Sequence, residues 1–220
     1  MVKLVIFDWD GTLFDSIARI CHSMLEAGQR VDAPEREFDD IKNIIGLSLD
    51  TAINTVWPEL ETEKQHALAD YYKDIYVSND QTPPNAYDGV IELLEQLKKS
   101  NIKLAVATGK TRRGLNRVMT LTNTTRFFST SRCADEAQSK PSPLMLEQIL
   151  EELNISAEDA IMIGDTEYDL NMANNAGMRS IGVNYGAHNQ ERLAACHPLA
   201  IISDITQLTS LLGLKTNELD

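Results

Sequence analysis

The stretch KLVIFDWDGTLFDS, residues 3–16, runs Leu4, Val5, Ile6 and Phe7 directly into two aspartates, Asp8 and Asp10, which are spaced by Trp9 and followed by Gly11 and Thr12. Two later apolar runs stop in a similar way. KLAVAT, residues 103–108, ends on Thr108 with Gly109 and Lys110 behind it, and AIMIGD, residues 160–165, ends on Gly164 and Asp165 with Asp169 beyond. The segment SKPSP adds Lys140 just ahead of a helical pattern. Each has an ordinary explanation alone, since an aspartate behind a strand commonly caps a helix or closes a turn. Gathered in one place, up to four carboxylates a few ångströms apart would repel by several kcal/mol at an effective dielectric near 20. One lysine does not offset that, so the pattern calls for a further counter-charge.

Such residues act together only if their strands end at the same place. Continuous apolar runs at 3–8, 103–108, 160–165, 180–184 and 199–203 read as parallel strands covered on both faces. Amphipathic stretches at about 88–100, 112–123, 142–153, 166–177 and 204–213 read as helices between and beyond them. Strand and helix in alternation predict an α/β chain with a Rossmann-like, doubly wound parallel sheet, which binds ligands at the carboxyl ends of its strands. Residues 15–82 interrupt this rhythm with about four helical stretches, around 16–29, 35–45, 48–57 and 61–78, and no convincing strand. The expected organisation is a core of residues 1–14 and 83–220 with an all-helical insertion at 15–82. Pro83, Pro84 and Gly89 punctuate the return, and the tail after Gly213 is expected to fray.

Composition narrows the partners. The 220 residues are 43% hydrophobic and 24% charged, enough for one good core and a small accessory unit. With 33 acidic against 20 basic residues, the net charge of −13 repels nucleic acid and anionic membrane surfaces. Cys21, Cys133 and Cys196 are scattered, without CxxC spacing, and His22, His66, His188 and His197 show no metal-ligand spacing. Reduced thiols, no secretory leader and no membrane-length apolar run point to a cytoplasmic protein.

In DWDGT, ATGK, KPSP and GDTEYD, taken in this order, the chain resembles the haloacid dehalogenase superfamily of hydrolases from Lys3 to about Leu212, and the helical insertion lies where that family carries a C1-type cap. The resemblance implies a phosphohydrolase with Mg²⁺ as cofactor. Asp8 would be the nucleophile that forms an aspartyl phosphate, and Asp10 the acid that protonates the leaving alcohol and then deprotonates water. Gly11, Thr108 and Gly109 would bind phosphoryl oxygens, and Lys140 would neutralise the group in transfer. Asp8, Asp165 and the backbone carbonyl of Asp10 would hold the metal. Asp169 would support the site, as a metal ligand through water or by orienting the lysine, and Lys110 would support it electrostatically.

Among branches of the family, the intact Asp10 and Thr12 argue against a dehalogenase. Ile45 and Leu49 stand where a phosphosugar mutase of the β-phosphoglucomutase type would carry basic residues, and an apolar pair cannot hold a second phosphate. The opening DGTLFDS and the ATGK segment resemble the phosphoglycolate phosphatase group. The expected partner is therefore a small phosphorylated metabolite such as phosphoglycolate, bound by a monomer or homodimer. A pyrophosphatase, a sugar or nucleotide monophosphatase, or a non-catalytic interaction protein are the alternatives. Arg112, Arg113 and Arg117 read as a solvated helix face, and Trp9 as a packing residue.

Overall fold

The computed structural model describes residues 2–78 and 84–214. The chain opens with β1 (Leu4–Phe7) and a two-residue strand, β2 (Phe14–Asp15). Four helices follow, α1 (Ile17–Arg30), α2 (Phe38–Lys42), α3 (Leu49–Val56) and α4 (Thr62–Ser78), then a second two-residue strand, β3 (Asn85–Ala86). From there the elements are α5 (Val90–Lys99), β4 (Lys103–Thr108), α6 (Arg112–Leu121), β5 (Thr130–Cys133), α7 (Leu144–Leu153), β6 (Ala160–Gly164), α8 (Glu167–Asn175), β7 (Arg179–Val183), α9 (Gln190–Ala195), β8 (Ala200–Ile202) and α10 (Leu208–Leu211).

Six strands form one parallel sheet in the order β5-β4-β1-β6-β7-β8. The order turns at β1, so the crevice where ligands bind opens at the carboxyl ends of β1, β4 and β6. Register brings those ends level, with Phe7 opposite both Val106 and Ile163. Side chains alternate across the sheet. Val5, Phe7, Val106 and Ile163 pack with Leu94 of α5 and Leu115 of α6. On the other face Leu4, Ile6, Ala105 and Ala107 pack with Met145 and Ile149 of α7 and Met172 of α8. Burial on both faces is why these strands carry no alternating polar pattern.

The insertion has an apolar cluster of its own, built from Cys21, Met24 and Ala27 of α1, Ile41 of α2, Ile53 of α3, Leu68 and Ile75 of α4, and Trp57. The Trp57 indole donates to the Pro34 carbonyl at 2.8 Å, so its one polar atom is satisfied in the cluster. The two passages between this cluster and the sheet are tied together, because β2 and β3 pair antiparallel with Phe14 opposite Ala86 and Asp15 opposite Asn85. Pro83, expected in the return linker, and the tail from Lys215 onward lie outside the described residues.

Several elements depart from the sequence reading, among them the two-residue strands β2 and β3, which no apolar run announces. β5 reads Thr-Ser-Arg-Cys and lies at the sheet edge, where only Cys133 is buried, so no apolar run announces it. α9 has six residues, less than two turns, too few to show a periodicity. The helix expected over 35–45 shrinks to α2, and turns at 43–47 follow, with Gly46 at φ 99°, the left-handed region that favours glycine. Among the described residues no helix is long and apolar enough to cross a membrane.

Candidate active site

The Asp8 amide donates to the Ile163 carbonyl at 2.9 Å, extending the sheet ladder one residue beyond β1 and fixing where that carboxylate sits. Asp8 Oδ1 accepts from Lys140 Nζ at 2.6 Å, while Oδ2 is buried with no hydrogen-bond partner among the described residues. Lys140, itself buried, donates also to Asp169 Oδ1 at 2.7 Å. The second oxygen of Asp169 accepts from the Thr166 amide at 3.1 Å and hydroxyl at 2.7 Å, within the capping box that starts α8. One carboxylate thus satisfies a helix start and aims a lysine.

Asp165 is held at both oxygens, by the Thr12 hydroxyl at 2.8 Å and the Ala187 amide at 2.7 Å. Two glycines make this possible. Gly11 has φ 81°, and a Cβ there would lie 2.2 Å from Asp165 Oδ2; a Cβ on Gly186 would lie 2.2 Å from Asp165 Cβ. Any side chain at either position would displace the carboxylate.

One oxygen from each of Asp8, Asp165 and Asp169 lies within 4.8 Å of the others. Three carboxylates against the single Lys140 ammonium leave two uncompensated negative charges in a buried space. Burial is the main cause that raises the Asp8 carboxyl well above the usual range, with Asp169 and Asp165 adding to it against Lys140. Burial and the neighbouring Asp169 push Asp165 up to about 7. For Lys140, burial alone would favour the neutral amine, but Asp169 and Asp8 outweigh it and raise the pKa. An orphaned buried oxygen and a deficit of two charges fit a hard divalent cation bound through oxygen.

Asp10 does not join this group through its side chain, in contrast to the expectation of four carboxylates in one pocket. Its Oδ2 pairs with Lys110 Nζ at 2.8 Å and its Oδ1 accepts from the Ser16 hydroxyl. Lys110, expected to support the site electrostatically, is thus a second, largely buried lysine that offsets one of the carboxylates. Burial would lower the Lys110 pKa, but Asp10 raises it, helped by Tyr76 and Tyr72. Lys110 Nζ also lies 3.4 Å from the Tyr76 hydroxyl and 5.0 Å from its ring centroid, so α4 reaches the same carboxylate. The Lys110 amide donates to Thr108 Oγ1 at 3.2 Å. Trp9 is fully buried and stacks on Phe14 with centroids 4.5 Å apart, a packing residue as expected.

The turn between α2 and α3 lies over this site. A Cβ on Gly109 would fall 2.5 Å from the Leu47 carbonyl oxygen and 2.6 Å from that of Gly46, and the Ser48 amide donates to Ser139 Oγ at 2.9 Å beside Lys140. Beneath it is a cavity of about 310 Å³, lined by Asp8, Asp10 and Lys110 from the core and by Ile45, Leu49 and Tyr72 among the insertion's residues. Arg113 and Arg117 also line it, whereas Arg112 turns away to Glu136 at 2.7 Å and to Ser131. The expected solvated arginine face is divided between two surroundings.

Sequence reasoning passed over a second bridge from insertion to core. The Asn43 carbonyl accepts from the Tyr168 hydroxyl at 3.0 Å and lies 3.1 Å from His188 Nε2, and its side-chain oxygen accepts from Arg192. His188 Nδ1 accepts from the Glu167 amide at 3.1 Å, which assigns the proton to Nε2. Burial lowers the His188 pKa, consistent with a neutral ring. The only hint in the sequence was the run GVNYGAHNQ beyond a strand end, which has no metal-ligand spacing.

Residues 5–183 match the family model described as haloacid dehalogenase-like hydrolase. The chain is 32% identical over 212 residues to the probable phosphatase IndB of Dickeya dadantii, covering 94% of this chain and 92% of that protein. It is 29% identical over 215 residues to a phosphoglycolate phosphatase of Vibrio cholerae, covering 94% and 95%. A solved structure described as a predicted phosphatase from Clostridium acetobutylicum superposes with a TM-score of 0.87 at 28% identity, covering 97% of this chain and all of that one. With the expected motifs at the strand ends and a family match over most of its length, the chain belongs to the haloacid dehalogenase-like hydrolases, and its named relatives in that family include phosphatases.

Proposed function

We propose that this phosphohydrolase cleaves small phosphomonoesters with Mg²⁺ through an aspartyl phosphate on Asp8. The observation that carries the reading is the Asp8 carboxylate at the cavity floor, with one oxygen on Lys140 and the other unpartnered beside Asp165. Asp8, Asp165 and the backbone carbonyl of Asp10 would hold the metal. When bound, Mg²⁺ supplies the positive charge that lets an anionic nucleophile and an anionic phosphate approach one another.

Asp8 Oδ attacks phosphorus and the bond to the leaving oxygen breaks. Asp10, oriented by Ser16 and Lys110, gives that oxygen its proton. In the second step Asp10 takes a proton from water as the water displaces Asp8 from phosphorus. Lys140 stays protonated, steadied by Asp169, and offsets charge on the transferring group. Thr108, with the amide of Gly109, binds phosphoryl oxygens, and Gly11, whose own amide donates to the Phe14 carbonyl at 2.9 Å, lets the backbone turn beside them. Residues 15–82 act as a cap over residues 1–14 and 83–220, and the turn at residues 43–47 excludes bulk water when closed. Phosphoglycolate, named for the Vibrio cholerae relative, is one candidate substrate.

The test is release of phosphate from p-nitrophenyl phosphate with Mg²⁺ or EDTA, for the wild type and Asp8→Asn. Activity should require Mg²⁺ and fall by at least about a hundredfold in the variant, because a neutral amide is neither nucleophile nor good metal ligand. Undiminished turnover by Asp8→Asn would remove Asp8 from the chemistry.

A further inference from the structure

In a chain of net charge −13, an arginine ordinarily finds a carboxylate. Arg30 pairs with Glu26, Arg36 with Glu59, Arg112 with Glu136, Arg126 with Glu95, Arg132 with Glu152 and Arg192 with Glu167. Arg113 and Arg117 have no ion-pair or hydrogen-bond partner among the described residues, and both line the catalytic cavity. They stand four residues apart on α6, so they share one face of that helix. That helix begins directly behind Gly109 and Lys110, which places its positive end at the same cavity. Lys73 and Asp74 of α4 also line the cavity, but they are one of each sign and Lys73 is paired with Asp70. Beyond Asp8, Asp10 and Lys110, the excess positive charge of the lining comes from the two arginines.

To the same cavity the insertion contributes apolar surface, with Ile45, Leu49 and Tyr72 among the lining residues. A carbon chain or ring is what such a wall accepts. A guanidinium accepts a carboxylate or a phosphate through parallel hydrogen bonds.

We propose that Arg113 and Arg117 are specificity-determining residues that bind an anionic group on the leaving group, while the apolar cap wall holds the carbon segment between that group and the phosphate. The preferred substrate is then a phosphomonoester with a second negative charge across a short apolar spacer. This rests on the phosphatase reading above. It also relocates the distal-anion site: the turn carrying Ile45 and Leu49 lacks basic residues, and the core helix α6 supplies them instead.

The experiment measures kcat/KM with Mg²⁺ for three matched series at two to five carbons: ω-carboxyalkyl phosphates beginning with phosphoglycolate, alkanediol bisphosphates, and uncharged alkyl phosphates. The readout is the ratio of charged to uncharged substrate at equal chain length. In the wild type at least one charged series should exceed the uncharged one by about tenfold or more, and whichever series leads identifies the anion as carboxylate or phosphate. The ratio should fall towards one in Arg113→Ala/Arg117→Ala, and Arg117→Lys should restore part of it over Arg117→Ala. In Arg113→Glu/Arg117→Glu the preference should turn to ω-aminoalkyl phosphates, a reversal that loss of structure does not produce. A wild-type ratio near one, or a ratio unchanged in the double alanine variant while hydrolysis persists, overturns the assignment and leaves the phosphatase reading intact. Failure of the wild type to hydrolyse any of the series, or p-nitrophenyl phosphate, overturns both.

Discussion

Asp8 and Asp10 are two residues apart and meet different surroundings. Asp8 is buried beside two other carboxylates, whereas Asp10 turns to Ser16 and Lys110. That difference suits two jobs, a nucleophile that must approach phosphorus and an acid that must reach the leaving oxygen. Replacing Asp10 by Asn removes the proton donor and keeps the shape. With a poor leaving group such as an alkyl alcohol, kcat/KM should fall by about 10²–10⁴. With p-nitrophenyl phosphate, which leaves without help, formation of the aspartyl phosphate should be far less affected, and its hydrolysis should become rate-limiting. Burst kinetics with both substrates check this; equal loss in the first step for good and poor leaving groups would remove Asp10 from the acid role.

At the scale of elements, the site is completed where the turn between α2 and α3 meets the residues behind β4. Gly109 is glycine because the backbone of the turn between α2 and α3 passes so near it that a Cβ would fall 2.5 Å from the Leu47 carbonyl oxygen and 2.6 Å from that of Gly46. Backbone cannot rotate aside as a side chain can, so Gly109→Ala should hold the turn away from the core. We expect kcat/KM to drop by about tenfold to a hundredfold, the cost of misplacing catalytic groups by about 1 Å. The melting temperature should move little, since Gly109 lies outside the sheet core. A variant with wild-type kinetics would show that this close approach is not needed for turnover.

For the whole molecule, the carboxylate group links metal binding to stability. In the unfolded chain aspartates titrate near 3.9; in the folded chain Asp165 is pushed up to about 7 and Asp8 is raised as well. A raised folded value means stability present at low pH and lost as pH climbs through the folded value. Metal-free protein should therefore lose stability between about pH 5 and pH 7, above the range where its surface carboxylates titrate. The proposed Mg²⁺ would bind the folded group and not the unfolded chain, so its addition should abolish that slope and add about 2.7 kcal/mol at a hundred times its dissociation constant. Asp165→Asn removes one charge and should match or exceed the wild-type melting temperature in EDTA at pH 7, yet gain little from millimolar Mg²⁺. Thermal melts of both proteins across pH, with EDTA and with Mg²⁺, decide the matter. An equal metal shift in the two would mean that the cation binds elsewhere.

Much of this was legible in one dimension because strand ends are local. An apolar run that stops on Asp8, Thr108 or Asp165 announces both a buried parallel strand and the residue that leaves it, and parallel strands put all such ends on one edge of the sheet. The helices α1 to α4 between β2 and β3 were equally legible as a break in rhythm. What sequence could not supply was direction and partnership. Asp10 could have pointed with Asp8; only the fold turned it to Lys110 and brought in Tyr76 from α4. Arg112, Arg113 and Arg117 read alike as one basic stretch of sequence, yet one pairs with Glu136 and two line the cavity. The bridge from His188, Tyr168 and Arg192 to Asn43 spans more than a hundred residues, with no spacing to betray it. The candidate site residues were written in short segments whose structure depends on near neighbours, whereas their charge balance and the apolar wall of the cavity depend on contacts between segments far apart in the chain, which only tertiary packing creates.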